Sequence, residues 1–242
     1  MDKPFYEAIF LVLASQSPLY DEFKKITLAY MATQPNVKVF FVYGSGTTFT
    51  REPHDLVYDD VKETVTPPWM TMKVTRAMEY IDDHYDYNFM IRTNMSTFWD
   101  VPKVLNRLRS LPQERCLAGH QSIFKPKYIT GIAMVLSRDL VKLIVRHQRR
   151  INVKYKKYVA EDQMLSTFVI HTLGVDYITA DKSTWRFEKY TSYDDSHIRQ
   201  TISEARSRGV DNYRVKNANS DRQAIDIAIT RTLCEMCYSI TV

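Results

Sequence analysis

The sequence predicts an α/β fold with a central, mostly parallel sheet flanked by helices, and three observations carry that prediction. Residues 8–14 run Ala-Ile-Phe-Leu-Val-Leu-Ala and residues 37–43 form a second apolar run. Strands buried on both faces of a parallel sheet lose the in–out alternation in this way. Between the two runs, Leu19, Phe23, Ile26 and Tyr30 recur at helical spacing and Pro35 ends the pattern. A strand, a helix and a strand in this order make a right-handed crossover with parallel strands. The pattern then repeats, with a short strand at 56–58, a helix opened by Pro68 and reaching about Asp83, and a strand from Tyr87 to Arg92.

The rest of the chain follows the same logic. Residues 102–111 predict a short amphipathic helix, 115–119 a strand, and 129–136 another strand, after which Ser137-Arg138-Asp139 caps a helix running to Arg150. Residues 161–173 read as a helix ended by Gly174. The segment 183–219 is rich in Arg, Lys, Tyr, Asp and Ser with weak periodicity, so a peripheral loop or a lid is expected there. The last helix spans 221–238, with Asp221 as its cap and Ile225, Ile229 and Leu233 on one face. No repeat, low-complexity tract or linker rich in proline or glycine interrupts the 242 residues, so one domain is expected over 1–242.

Composition narrows the function classes. A chain 45% hydrophobic and 25% charged is expected to fold into a globular protein. The net charge of +5 is modest, and the basic residues concentrate only at 146–150 and 154–157. No RNA-binding signature or zinc-finger spacing accompanies that stretch, which leaves nucleic acid the weaker reading. Cys116, Cys234 and Cys237 offer no paired zinc spacing, the longest apolar run is far short of a membrane span, and the charged start at Met1-Asp2-Lys3 is unlike a cleavable signal. A cytoplasmic enzyme without disulfides and without a transmembrane segment is expected.

In open α/β sheets, ligands bind beyond the carboxyl ends of the strands. Three such ends are polar: Ser15-Gln16-Ser17, Tyr43-Gly44-Ser45-Gly46, and Arg92-Thr93-Asn94-Met95-Ser96. The glycine pair lacks the spacing of a dinucleotide or phosphate loop and reads as a turn. The stretch from Tyr87 through Ser96 resembles the strand and turn that carry the acidic metal motif of β-1,3-galactosyltransferase-like and Fringe-like glycosyltransferases. The segment 128–140, with Gly131, resembles their acceptor-side strand and helix, and Glu161-Asp162-Gln163-Met164 resembles their Glu-Asp-Val signature. Lys73 falls where those enzymes have a lysine-rich element. The Arg-Thr-Asn-x-Ser turn and Tyr213-Arg214-Val215-Lys216-Asn217 are similar to elements of virus-encoded enzymes that glycosylate capsid proteins. Order and spacing match over roughly residues 8–175.

The resemblance implies a GT-A (Rossmann-like) glycosyltransferase, with a nucleotide-sugar-binding half at about 1–100 and an acceptor half with a C-terminal lid and helix at about 101–242. It implies transfer with inversion from a nucleotide sugar, UDP-linked by expectation, to a glycan or glycoprotein, a viral capsid protein among them. Asp162 is then the general base that takes the acceptor's proton. By itself Glu161-Asp162 is also what a helix's first turn favours through its dipole. Ser15, Lys73, Arg92, Thr93, Asn94, Ser96, Arg214 and Lys216 are the expected donor-binding residues, and Gly131 and Glu161 stand on the acceptor side. Asn94 and Ser96 occupy positions where the family has carboxylates, so a divalent metal (Mn or Mg) is doubtful. Cationic side chains neutralise the phosphates instead, or His197 helps hold a metal. Trp69, Trp99 and Trp185 are candidates for stacking on a sugar. A catalytically inactive glycan- or nucleotide-binding protein of the same shape is the alternative reading, followed by a nucleic-acid-associated protein.

Overall fold

The computed structural model describes residues 2–64, 66–123, 127–154, 158, 160–218 and 221–242. In chain order the elements are β1 (Phe5–Leu13), α1 (Pro18–Met31), β2 (Val37–Tyr43), β3 (Asp55–Val57), α2 (Trp69–His84), β4 (Asp86–Asn94), β5 (Thr97–Trp99), α3 (Val101–Leu108), β6 (Leu117–Gln121) and β7 (Ile129–Ser137). There follow α4 (Arg138–Arg146), α5 (Gln148–Lys154), α6 (Glu161–His171), β8 (Tyr177–Thr179), β9 (Thr184–Phe187), α7 (Asp195–Ser207), β10 (Asn212–Val215) and α8 (Arg222–Tyr238). They divide into two compact units. One comprises residues 1–15, 36–94 and 111–180, the other 16–35, 95–110 and 181–242, so each unit draws on both halves of the chain.

The first unit is a seven-stranded sheet in the order β3-β2-β1-β4-β7-β6-β8. β1, β2, β3 and β4 are mutually parallel, and β7 alone runs the other way, pairing antiparallel with both β4 and β6. The apolar runs 8–14 and 37–43 are the strands β1 and β2, with Ile9, Leu11, Phe40 and Val42 buried in one core. Val74, Ala77, Met78 and Ile81 of α2, at i, i+3, i+4 and i+7, join that core. Leu140, Val141 and Ile144 of α4 and Met164, Leu165, Phe168 and Val169 of α6 do the same. Each such side chain contributes about 1.5–3 kcal/mol through burial. Gly174, with φ +63°, follows α6 in the left-handed conformation that suits glycine after a helix.

The second unit is a three-stranded sheet, β5-β10-β9, together with α1, α3, α7 and α8. Its core is aromatic. Tyr30 of α1 lies 4.7 Å from Phe98 and stacks on Tyr238 at 4.9 Å between centroids. Phe187 and Tyr213 add a stacked pair at 6.4 Å. Ile225, Ile229 and Leu233 present the buried face of α8, as the sequence predicts. Asp226 on α8 is fully buried; its Oδ1 accepts from the backbone and side-chain nitrogens of Asn217, and its Oδ2 from Arg222 Nε at 2.8 Å.

Several expectations are corrected here. The segment 183–219 is not an irregular loop: its described residues include β9, α7 and β10. Ile198, Ile202 and Ala205 are the buried positions of α7, and the Arg, Glu and Ser residues on its exposed face diluted that periodicity in the sequence. The helix expected to run to Arg150 ends at Arg146, and α5 starts at Gln148 after a break at His147. The Ser137 hydroxyl does not cap α4. It accepts from Cys116 N and donates to Asp139 Oδ1, because the neighbouring strand offers it a buried amide. Asp221 stands at the start of α8 without a side-chain capping bond. β5 and β8, three residues each, are too short for a periodic signal. Of the basic stretch 146–157, residues 155–157 lie outside the described residues. No helix among the described residues is long and apolar enough to cross a membrane.

The Tyr238 hydroxyl accepts from Val101 N and donates to Trp99 O, both at 2.7 Å, and so ties the end of α8 to β5 and α3. Tyr238→Phe leaves both backbone groups unpaired and should lower unfolding stability by about 1–3 kcal/mol, read from the urea midpoint.

Candidate active site

In the first unit, the period of two along β4 puts Met90, Arg92 and Asn94 on one face of the sheet. Met90 joins the core shared with α2, α4 and α6, so Arg92 reaches toward the start of α6. There it meets Glu161 in a two-pronged pair, Nε to Oε1 at 2.9 Å and Nη2 to Oε2 at 2.5 Å. Arg92 is 4% exposed and Glu161 3%. The remaining nitrogen, Nη1, donates to Asn94 Oδ1 at 2.9 Å and to the carbonyl oxygen of Gly131. Four of the five N–H groups of Arg92 are thereby engaged, and its charge is matched by one buried carboxylate. Burial pushes the Glu161 carboxyl above its usual range, and the Arg92 guanidinium opposes that shift.

Gly131 sits at the start of β7. Because β7 runs against β4, Gly131 lies beside the carboxyl end of β4, close to Thr93, whose partner in register is Ala133. A Cβ at Gly131 would overlap the Arg92 guanidinium. Its amide donates to Asp162 Oδ2 at 2.6 Å, while Asp162 Oδ1 accepts from Gln163 N at 2.8 Å. Gly131 thus holds Asp162 directly and is linked to Glu161 only through Arg92, so the two acids have different surroundings. Glu161 is enclosed by the arginine, whereas Asp162 is half-buried. The Thr93 hydroxyl donates to Ile132 O at 2.8 Å and pins β4 to β7.

Lys73, on α2, is 1% exposed. Its ammonium donates to Glu63 Oε1 at 2.7 Å and to Ala14 O, at the end of β1, at 3.2 Å. Burial pulls it below the usual lysine range, and Glu63 opposes that shift. The other oxygen of Glu63 accepts from Gly44 N at 2.5 Å, and a Cβ at Gly44 would press on Glu63 and on Val61 O. Glu63 escaped the sequence reading because nothing local links position 63 to positions 44 and 73. Ser15 is half-buried just after β1, and the capping hydroxyl of α1 belongs to Ser17, which accepts from Tyr20 N.

In the second unit, Arg214 on β10 donates to Ser96 Oγ at 2.5 Å, next to the backbone bond from Val215 N to Ser96 O. No carboxylate comes within ion-pair distance of Arg214 among the described residues, and burial pulls its guanidinium down to about 10. It remains protonated at neutral pH, with Tyr20 and Glu188 opposing the effect of burial on its charge. Lys216 is exposed. His197 is exposed on the first turn of α7, where its backbone N–H is taken by the capping Asp194. Trp99 is 1% exposed and belongs to the core, Trp69 is half-buried beneath the Lys62 ammonium, and Trp185 is half-buried on β9.

Neither position of the family's acidic motif fits a divalent cation. Asn94 Oδ1 and Ser96 Oγ carry no negative charge, and each already accepts from a guanidinium that would repel a metal. Among the described residues, no group of three or more His, Cys, Asp and Glu side chains is arranged to hold a metal ion.

No family model matches this sequence, and no curated protein matches it. Solved structures do match. One is a glycosyltransferase involved in the glycosylation of the major capsid of PBCV-1, at 9% identity with a TM-score of 0.52, over 92% of this chain and 98% of that one. Another is the apo-form glycosyltransferase GlyE of Streptococcus pneumoniae TIGR4, at 9% identity with a TM-score of 0.50, over 96% of this chain and 62% of that one. The chain shares the α/β fold of these glycosyltransferases, with its mostly parallel central sheet flanked by helices.

Removing one member of a buried ion pair strands the other, so Glu161→Ala should cost about 3–5 kcal/mol of unfolding stability. Arg92→Ala should cost a comparable amount and the double variant much less than the sum, as measured by denaturant unfolding in a double-mutant cycle. Gly131→Ala should lose about 1–3 kcal/mol through overpacking against the same guanidinium.

Proposed function

We propose that this chain is a glycosyltransferase that moves a sugar from a nucleotide donor to a glycan or glycoprotein acceptor with inversion, Asp162 acting as general base. The reading rests on one observation above the others. Asp162 is the half-exposed carboxylate of the pair, and Gly131 N–H holds it beside the carboxyl end of β4, where open α/β sheets bind ligands. Glu161, sealed against Arg92, is excluded from that work.

In the proposed step, an Asp162 oxygen takes the proton of the acceptor hydroxyl as that oxygen attacks the anomeric carbon. The bond from the anomeric carbon to the diphosphate oxygen breaks on the opposite face, and its electron pair leaves with the nucleotide. Holding base and acceptor in line supplies the orientation the displacement needs. The diphosphate needs positive charge. Arg92 and Lys73 have their donors engaged by carboxylates and carbonyls, which makes them positioning groups rather than phosphate ligands. Arg214 and Lys216 of the second unit are the phosphate-binding cations the sequence resemblance implies, without a metal, and the Arg214 side chain donates to a hydroxyl rather than to a carboxylate. Ser15, Asn94 and Ser96 are left to bond ribose or sugar hydroxyls. A uridine nucleotide is the first donor to test, and a capsid protein is one acceptor the likeness suggests.

The test is turnover of a panel of nucleotide sugars, UDP-linked donors first, with and without EDTA. One donor should be hydrolysed or transferred at a rate EDTA leaves unchanged. Asp162→Asn should lower kcat by about 10²–10⁴. Arg214→Ala should chiefly raise the donor's KM. Absence of turnover with every donor, or an unchanged Asp162→Asn enzyme, would remove the assignment. Donor binding without turnover would favour the nucleotide-binding alternative.

A further inference from the structure

The second unit carries a pocket of about 380 Å³ lined by Lys182, Thr184, Trp185, Arg208 and Val210, none of which the proposed reaction uses. That volume lies within the range of small-molecule sites. Thr184 and Trp185 open β9, the outer strand of the three-stranded sheet. Lys182 comes from the 3-10 turn Asp181–Ser183 just before it, and Arg208 from the end of α7. Trp185 is the one tryptophan of the chain that lines this cavity.

The lining has one sign of charge. Lys182 and Arg208 are both exposed, and no acidic residue is among the five. The nearest acid recorded at Arg208 is Glu204, 3.9 Å from Nη2, with side chains 64% and 51% exposed, a pair too solvated to neutralise it. The Arg208 guanidinium carbon lies 5.9 Å from the centre of the Trp185 ring, close enough for the ring's electrons to hold the cation at the pocket. Thr184, in the lining, has its Oγ1 buried without a hydrogen-bond partner among the described residues. An indole offers a flat apolar surface, two cations offer charge, and a threonine offers a hydroxyl. A sugar ring bearing one anionic group meets all three; a bare anion meets only the second, and a neutral sugar only the others.

We propose that this pocket binds a sugar carrying a carboxylate or phosphate group, such as an acidic unit of a glycan, at a site separate from the chemistry assigned to Asp162. Calorimetric titration of the full chain with glucuronate, glucose 6-phosphate, glucose and inorganic phosphate tests it. At least one of the two anionic sugars should bind roughly tenfold or more tightly than both glucose and phosphate. The better of the two identifies the charged group. Arg208→Ala and Lys182→Ala, both at exposed positions, should each weaken that binding by roughly tenfold, and Trp185→Phe should weaken it less than Trp185→Ala. Asp162→Asn should leave it unchanged, which separates this result from the fate of the transferase assignment. Phosphate or glucose binding as tightly as the better of the two anionic sugars, no binding of either anionic sugar, or full affinity in Arg208→Ala would each overturn the proposal.

Discussion

Arg92 and Glu161 form a fully enclosed ion pair at the start of α6, and much of the first unit's polar architecture follows from it. Two charges withdrawn from water are costly unless every lone pair and proton finds a partner. Arg92 approaches that condition, placing four of its five N–H groups on the Glu161 carboxylate, the Asn94 amide oxygen and the Gly131 carbonyl. The same requirement dictates a residue without a side chain at position 131, because the guanidinium occupies the space a Cβ would need. Glycine at 131 in turn leaves a backbone N–H facing Asp162. A pair of adjacent acids on one helical turn is thereby divided into an enclosed partner for arginine and a carboxylate that water can reach.

In the Glu63–Lys73 pair only the lysine is enclosed, and the carbonyl of Ala14 and the amide of Gly44 add to the pair's hydrogen bonds. Both pairs stand at the carboxyl ends of parallel strands, where the sheet leaves carbonyls and amides without strand partners. Cations that look free in the sequence are therefore structural in the first unit. Each of the two, Lys73 and Arg92, is paired with a carboxylate.

Arg214 in the second unit is the contrasting case. Its side chain donates to a hydroxyl rather than to a carboxylate, and Glu188 acts on it without forming an ion pair among the described residues. The aromatic packing of Tyr30, Phe98, Tyr213 and Tyr238 and the Asn217–Asp226–Arg222 network hold β10 and the residues that follow it in place. The Tyr-Arg-Val-Lys-Asn element divides accordingly: Tyr213, Val215 and Asn217 are buried in that framework, while Lys216 faces solvent and Arg214 is half-buried.

The sequence alone determined the strands and helices whose period survives averaging: the apolar runs of β1 and β2, the i, i+3, i+4, i+7 face of α2, and the buried face of α8. It also marked Arg92 as the polar end of a strand, and Gly131, Glu161 and Asp162 through their resemblance to glycosyltransferase motifs. It could not assign their tasks. Arg92 and Glu161 are 69 residues apart, and only pairing of β4 with β7 and packing of α6 bring them together. Glu63 went unseen for the same reason, and the elements of 183–219 were hidden because short strands and a mostly exposed helix carry too few apolar positions to show a period. Which acid is sealed and which is open, and which cations are cancelled, was decided by tertiary structure, because burial and charge compensation are properties of neighbours in space.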